Sequence, residues 1–173
     1  MKKIIAGVII VGLLGVGWWL GSPLFLDKEV NEDAPMSSEE MMSDENMKNE
    51  EMMDDQSDEM DGKMKEMMMY SGTFKDADEK HKASGMVKTV DGEDGLYLRF
   101  EGFEVTNGPD LYVYLTKEGQ QTKEGIELGK LKGNKGNQNY KIPEGTDLEM
   151  YNQVVVWCKS FDEDFGYAMM VAN

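Results

Sequence analysis

Residues 153–158, QVVVWC, limit what this chain can fold into more than any other stretch. Val154, Val155, Val156 and Trp157 follow one another without a polar break, so an extended backbone there carries apolar groups on both faces. Such a segment has to be covered on both sides, which is the position of a central strand. Period-two alternation puts Cys158 on one face with Val154 and Val156, pointing inward, and puts Val155 and Trp157 on the other. Cys158 is the only cysteine, so no internal disulfide can hold the domain and its core must come from apolar burial. A domain of about 100 residues is large enough for that.

The rest of 70–173 has the texture this strand needs. Short strand-like pieces are separated by Gly, Asn, Asp and Pro: Tyr70–Phe74, Gly85–Val90, Leu96–Phe100, Leu111–Thr116, Ile126–Leu131, Gln138–Ile142, Gln153–Lys159 and Phe165–Val171. Leu96, Leu98 and Phe100 alternate with Tyr97 and Arg99, and Leu111, Val113 and Leu115 alternate with Tyr112 and Tyr114. No helical stretch lies between them to serve as a crossover. The expectation is an all-β domain, an antiparallel β-sandwich or barrel of about eight short strands.

Residues 1–69 are chemically different. Residues 1–26 open with Lys2 and Lys3 and continue as an uncharged apolar run from Ile4 to Leu26, broken only at Gly21, Ser22 and Pro23. As a helix, Ile4 to Leu20 rises about 26 Å, and Leu24–Leu26 extend it across a hydrocarbon core of about 30 Å. Trp18 and Trp19 suit the outer interface. No A-x-A-like cleavage pattern follows the run. The reading is an uncleaved signal anchor, one transmembrane helix, with the N-terminus cytoplasmic and the remainder extracytoplasmic, because lysines flank one side and carboxylates the other.

Residues 27–69 hold eleven of the 16 methionines among sixteen acidic and four basic side chains, with no aromatic residue. This composition cannot bury a core, so a disordered tether is expected, helical at most near its end. As coil it would span about 35–40 Å and lift the domain off the membrane. The overall net charge of −16, and the lack of any basic surface with interleaved aromatics, exclude nucleic acid as a partner.

Few residues can carry chemistry. Thioethers are soft ligands that select Cu(I), so Met41, Met42, Met52, Met53, Met67, Met68 and Met69 are candidate copper ligands; the rival reading is a solvated spacer or a sink for oxidants. Cys158 is a redox candidate because an exported domain keeps a lone thiol in an oxidising compartment; inert packing is the alternative. His81 is the only histidine, so His and Cys cannot supply a closed zinc site. With Cys158, and with Met86, Met150, Met169 or Met170, it would make a copper or haem iron site. Asn107–Asp110 reads as a turn rather than a calcium loop. The glycine-rich run 130–140 lacks the strand-to-helix frame of a phosphate cradle. No nucleophile elbow or second histidine is present, which argues against hydrolytic catalysis.

The domain resembles the DM13 family. The residues that carry the resemblance are Gly72 and Phe74, His81 and Gly85 in HKASG, Leu98, Phe100 and Phe103, and NGPDLYVYL from Asn107 to Leu115. It continues through Leu128, Gly129, Leu131, Gly136, Gln138, Tyr140 and Pro143, and ends on VVVWC with Phe161, Phe165 and Ala168. The resemblance implies a β-rich extracytoplasmic module with a role in electron transfer centred on the cysteine, Cys158 here, through a bare thiol or through bound haem or metal. An envelope redox protein is the partner it implies. Two rival readings come from other classes: a non-redox interaction module on a stalk, and a copper(I)-sequestering protein acting through the methionine-rich segment.

Overall fold

The computed structural model describes residues 26–35 and 69–173. The expected transmembrane helix, and all of the candidate copper ligands except Met69, lie outside the described residues. Among the described residues no helix is long and apolar enough to cross a membrane.

Ten strands follow in order: β1 (Tyr70–Thr73), β2 (Lys75–Asp76), β3 (Ala83–Gly92), β4 (Gly95–Val105), β5 (Leu111–Thr116), β6 (Ile126–Lys130), β7 (Lys135–Lys141), β8 (Gln153–Cys158), β9 (Glu163–Met169) and β10 (Val171–Ala172). They form two antiparallel five-stranded sheets, ordered β10-β1-β3-β4-β7 and β2-β9-β8-β5-β6. The domain is therefore all-β and a sandwich rather than a closed barrel. The two strands beyond the expected eight, β2 and β10, are two-residue edge strands with exposed side chains. Neither carries an alternation that a sequence pattern would reveal.

β8 lies between β5 and β9 and is covered on both faces. Val154, Val156 and Cys158, all at 0% exposure, enter the main core with Leu111, Val113 and Leu115 of β5. Val155 and Trp157 enter a second, smaller cluster with Tyr114, flanked by Tyr112 and Tyr167. The outer face of this sheet is thus sealed by its own aromatic side chains.

The first sheet is organised by the β3–β4 hairpin, whose register closes at Gly92 against Gly95. Simple alternation would put Phe100 and Phe103 of β4 on opposite faces. A register shift between them, with Gly102 at φ 54°, brings both into the core. A bulge there requires a residue tolerant of positive φ. Phe74, Phe100 and Phe103 then pack with ring centroids 4.8 Å apart, and Tyr140 lies 5.2 Å from Phe100. Burying each such ring contributes about 2–3 kcal/mol.

β7 would be an open edge, and residues 26–35 cover it. This segment, read from the sequence as the start of a tether, is an extended strap along β7 with a parallel bridge between Glu29 and Lys135. The Val30 N–H donates to the Lys135 carbonyl at 3.0 Å, and the Glu32 N–H to that of Asn137 at 2.9 Å. Lys132 Nζ donates to both Glu32 carboxylate oxygens, and Lys135 Nζ pairs with Asp27 at 2.8 Å. Arg99, 6% exposed, donates to the Glu32 carbonyl and to Asn139. Two glycines make room: a Cβ on Gly133 would collide with the Lys28 carbonyl oxygen, and one on Gly136 with that of Val30. The physical reason for the departure is that an exposed strand edge offers unpaired backbone groups, which a charged segment can satisfy without burying apolar surface.

Candidate functional site

Cys158 is the last residue of β8, a free thiol at 0% exposure. Its strand partners are Leu111 on one side and Glu163 on the other, and it belongs to the apolar cluster that holds Val156 and Phe165. The inward orientation expected from strand parity is the one found. Immediately after it comes the turn 159–162, in which the Phe161 N–H donates to the Cys158 carbonyl at 3.3 Å and the Lys159 N–H to that of Asp110. Asp162 is the one non-glycine residue with positive φ (55°) among the described residues, a conformation that stores strain. Phe161 is 63% exposed, so it adds little packing to this turn.

His81 lies at the same end of the sandwich. Its ring stacks on Phe165 with centroids 4.1 Å apart, and its Nδ1 is 2.7 Å from Asp78 Oδ2. That contact, together with backbone N–H donors from His81 and Lys80, lowers the Asp78 carboxyl to about 2. The imidazole is therefore positioned by Asp78 as a cap over Phe165.

The methionines proposed as further ligands do not join this pair. The Met170 N–H donates to the Asn152 carbonyl, and Met169 pairs with Gln153, at the start of β8. Five residue steps along the strand separate that point from Cys158, about 17 Å. Met150 is half exposed in the loop that precedes β8, and Met86 is 51% exposed opposite Thr73 and Glu101. Among the described residues no group of three or more His, Cys, Asp or Glu side chains is placed to hold a metal ion. Met69 is 38% exposed at the chain's re-entry into β1. The donor set around Cys158 does not fit copper, which needs several ligands converging on one point; a haem needs only one protein ligand but also room beside it, and Cys158, at 0% exposure, is packed within the apolar cluster.

The cavities make the same distinction. One of about 900 Å³ lies at the far end, between Tyr70, Leu96 and the 141–149 loop, and Cys158 does not line it. Nearer the cysteine is a cleft of about 450 Å³ with Trp157 on its wall and Asp78, Asp162, Glu163 and Asp164 around it. Burial, helped by Glu163 and Asp162, pushes the Asp164 carboxyl up against the hydrogen bond it accepts from Thr122.

Sequence reasoning missed the polar frame of the outer aromatic face. Tyr114 stands edge-on to Trp157 at 5.5 Å and donates its hydroxyl to Glu127 Oε2 at 2.7 Å. Lys159 pairs with the same oxygen and sits 3.8 Å above the Tyr112 ring. The only available signal was the alternation of Tyr112 and Tyr114 with Leu111 and Val113, which marks the face but not its partners. Asp78 and Asp162 carried no signal at all, since each looks like an ordinary loop carboxylate.

The model of the family described as "Electron transfer DM13" matches residues 73–170, a span that includes every strand from β2 to β9 and Cys158 itself. Neither the curated proteins nor the solved structures give a match to the chain.

Proposed function

The chain belongs to the DM13 family, an electron-transfer family, and from that premise we propose that it is a membrane-anchored extracytoplasmic redox module whose centre is the Cys158 thiol itself. The observation that supports this reading is that Cys158, inside the matched span, is a fully buried free thiol, with Met169 and Met170 beside the other end of β8 and His81 engaged by Asp78 and Phe165. The anchoring part of the reading is supported by the uncharged run Ile4–Leu26 between Lys2–Lys3 and the acidic segment.

A buried thiol reacts only when its cover opens. The turn 159–162, which follows Cys158 directly and is exposed throughout, is the segment suited to do so, because it combines the strained Asp162 with the exposed Phe161. A hydroperoxide reaching the sulfur would be attacked at oxygen: the S–O bond forms, the O–O bond breaks, and the thiol proton leaves with the departing oxygen as water or alcohol. Sulfur is oxidised by two electrons and the peroxide is reduced. A small thiol then displaces water from the sulfenic acid, and a second releases Cys158 as thiol. Reclosing of the turn would shield the oxidised sulfur from further oxidation.

The test exposes the purified chain and its Cys158→Ala variant to haem, Cu(I) and Cu(II), with absorption spectra and metal analysis. Both proteins are expected to give the same spectra and no cysteine-dependent metal. A cysteine-dependent absorption band, or one equivalent of metal lost in the variant, would replace the bare-thiol reading with a cofactor site.

A further inference from the structure

The strap also decides which end of the sandwich lies next to the chain's apolar N-terminal run. Its two ends sit at opposite ends of the domain. At the first, Asn107 Nδ2 donates to the Leu26 carbonyl at 2.9 Å, and Asn134 Nδ2 donates to Asp27 Oδ1 at 2.8 Å. Asn107 belongs to the turn that leads to Asp110, whose carbonyl accepts from the Lys159 N–H. The next residue, Leu111, is the strand partner of Cys158. Residue 26 therefore enters at the Cys158 end.

From there the strap runs the height of the sandwich. Val30 and Glu32 bond to β7 in succession, Asn139 Nδ2 donates to the Asp33 carbonyl, and Pro35 reaches Gly92 at the β3–β4 turn. Nine extended residues cover about 30 Å. The chain rejoins the domain at that same far end, where the Asn173 N–H donates to the Met69 carbonyl and the Tyr70 N–H to Thr89 Oγ1. Pro35 and Met69, the described residues on either side of the acidic, methionine-rich stretch, thus both lie at the end remote from Cys158.

We infer that the strap holds the domain with its Cys158 end against the membrane surface, the turns 106–110, 131–134 and 159–162 facing the lipid headgroups. This rests on the membrane reading proposed above. The apolar run ends at Leu26, and Leu26 and Asp27 are already fastened to the domain, so the domain is tied directly to the end of that run. The 35–40 Å spacing that a free tether would give is replaced by direct contact. Phe161 and Leu26, 63% and 62% exposed, are two apolar side chains at this end, and both suit the interfacial layer. The consequence for function is that the turn that follows Cys158 opens toward the membrane, so what reaches the sulfur arrives at the lipid surface. Pro35 and Met69 lie about 30 Å further out.

The experiment uses the full chain in liposomes carrying headgroup-level nitroxide lipid. In a Cys158→Ala background an environment-sensitive fluorophore is placed through Phe161→Cys at the Cys158 end, or through Glu144→Cys at the far end. Flotation establishes membrane binding, and lipid quenching reports depth. The expected result is several-fold stronger quenching at position 161 than at 144, with the difference abolished by Gly136→Ala. If Gly136→Ala disturbs β7, Asp27→Asn with Glu32→Gln releases the strap without entering the sheet. Equal quenching at both positions, or stronger quenching at 144, in chain that floats would overturn the orientation and leave the membrane reading intact. Chain that fails to float would overturn both.

Discussion

β8 and the strap are both extended segments, and they are held in place by opposite means. β8 buries five of its six residues and sits between two neighbouring strands. The strap leaves most of its side chains exposed and is fastened by backbone hydrogen bonds, by Lys132 and Lys135, and by two glycines that let it approach. Apolar burial shows in a sequence because it needs particular residue types at particular spacings. Edge pairing does not, because backbone groups are the same in every residue.

The difference predicts a hierarchy of stability within one domain. The largest effect belongs to the core: Phe100→Ala removes a ring at 0% exposure that packs against Phe74, Phe103 and Tyr140. It should cost about 3–5 kcal/mol, seen by denaturant unfolding as a loss shared by both sheets. A loss confined to the first sheet would mean that the two layers do not fold together.

Gly136→Ala tests the strap. At φ +97° the alanine is strained, and its Cβ meets the Val30 carbonyl, for about 1–3 kcal/mol. Hydrogen exchange should show the Val30 and Glu32 amides losing protection while those of β8 keep theirs. If the β8 amides lose protection equally, the strap is part of the cooperative core and the contrast fails.

Acid should separate the two regions by the same logic. Hydrogen bonds from Lys135 and Asn134 hold Asp27 below its ordinary value of 3.8. For Glu32, burial raises the carboxyl, but bonds from Lys132 and the Asn139 N–H outweigh it and leave it below 4.5. A carboxyl depressed in the folded state contributes stability above its unfolded value, and that contribution disappears as pH falls through the folded one. Strap amides should therefore lose protection on acidification below the ordinary carboxylate range, before the core unfolds, and Asp27→Asn with Glu32→Gln should remove the pH step. The smallest effect is expected at the Lys123–Asp162 pair, 3.3 Å apart and half exposed on both sides. Lys123→Ala should change stability by about 0–1 kcal/mol, as measured by the same unfolding curve.

What the sequence disclosed follows the same division. Parity alone placed Val154, Val156 and Cys158 inward and Trp157 outward, because a strand has only two faces. The alternation through Leu111, Val113 and Leu115 likewise marked the neighbouring strand. The bulge at Gly102 was not legible, since a single inserted residue changes which side Phe103 faces without changing composition. Neither β2 nor the strap could be read, because DKEVNED has the pattern of a solvated segment whether or not it pairs with an edge. At the site, the cysteine was legible and its ligand set was not: Met150, Met169 and Met170 are possible sulfur ligands by type, and only the register shows that they stand at the other end of β8 or before it.

The measurement that bears most directly on the redox reading is oxidation of Cys158 in the folded full chain. The protein would be treated with a hydroperoxide, trapped with a sulfenic-acid reagent and mapped by mass spectrometry, with circular dichroism recorded alongside and a small thiol added afterwards. The expected result is reversible oxidation at Cys158 while both sheets remain folded, because only the turn 159–162 has to open. A Cys158 that stays reduced until denaturant unfolds the domain would contradict it and leave the sulfur as core packing.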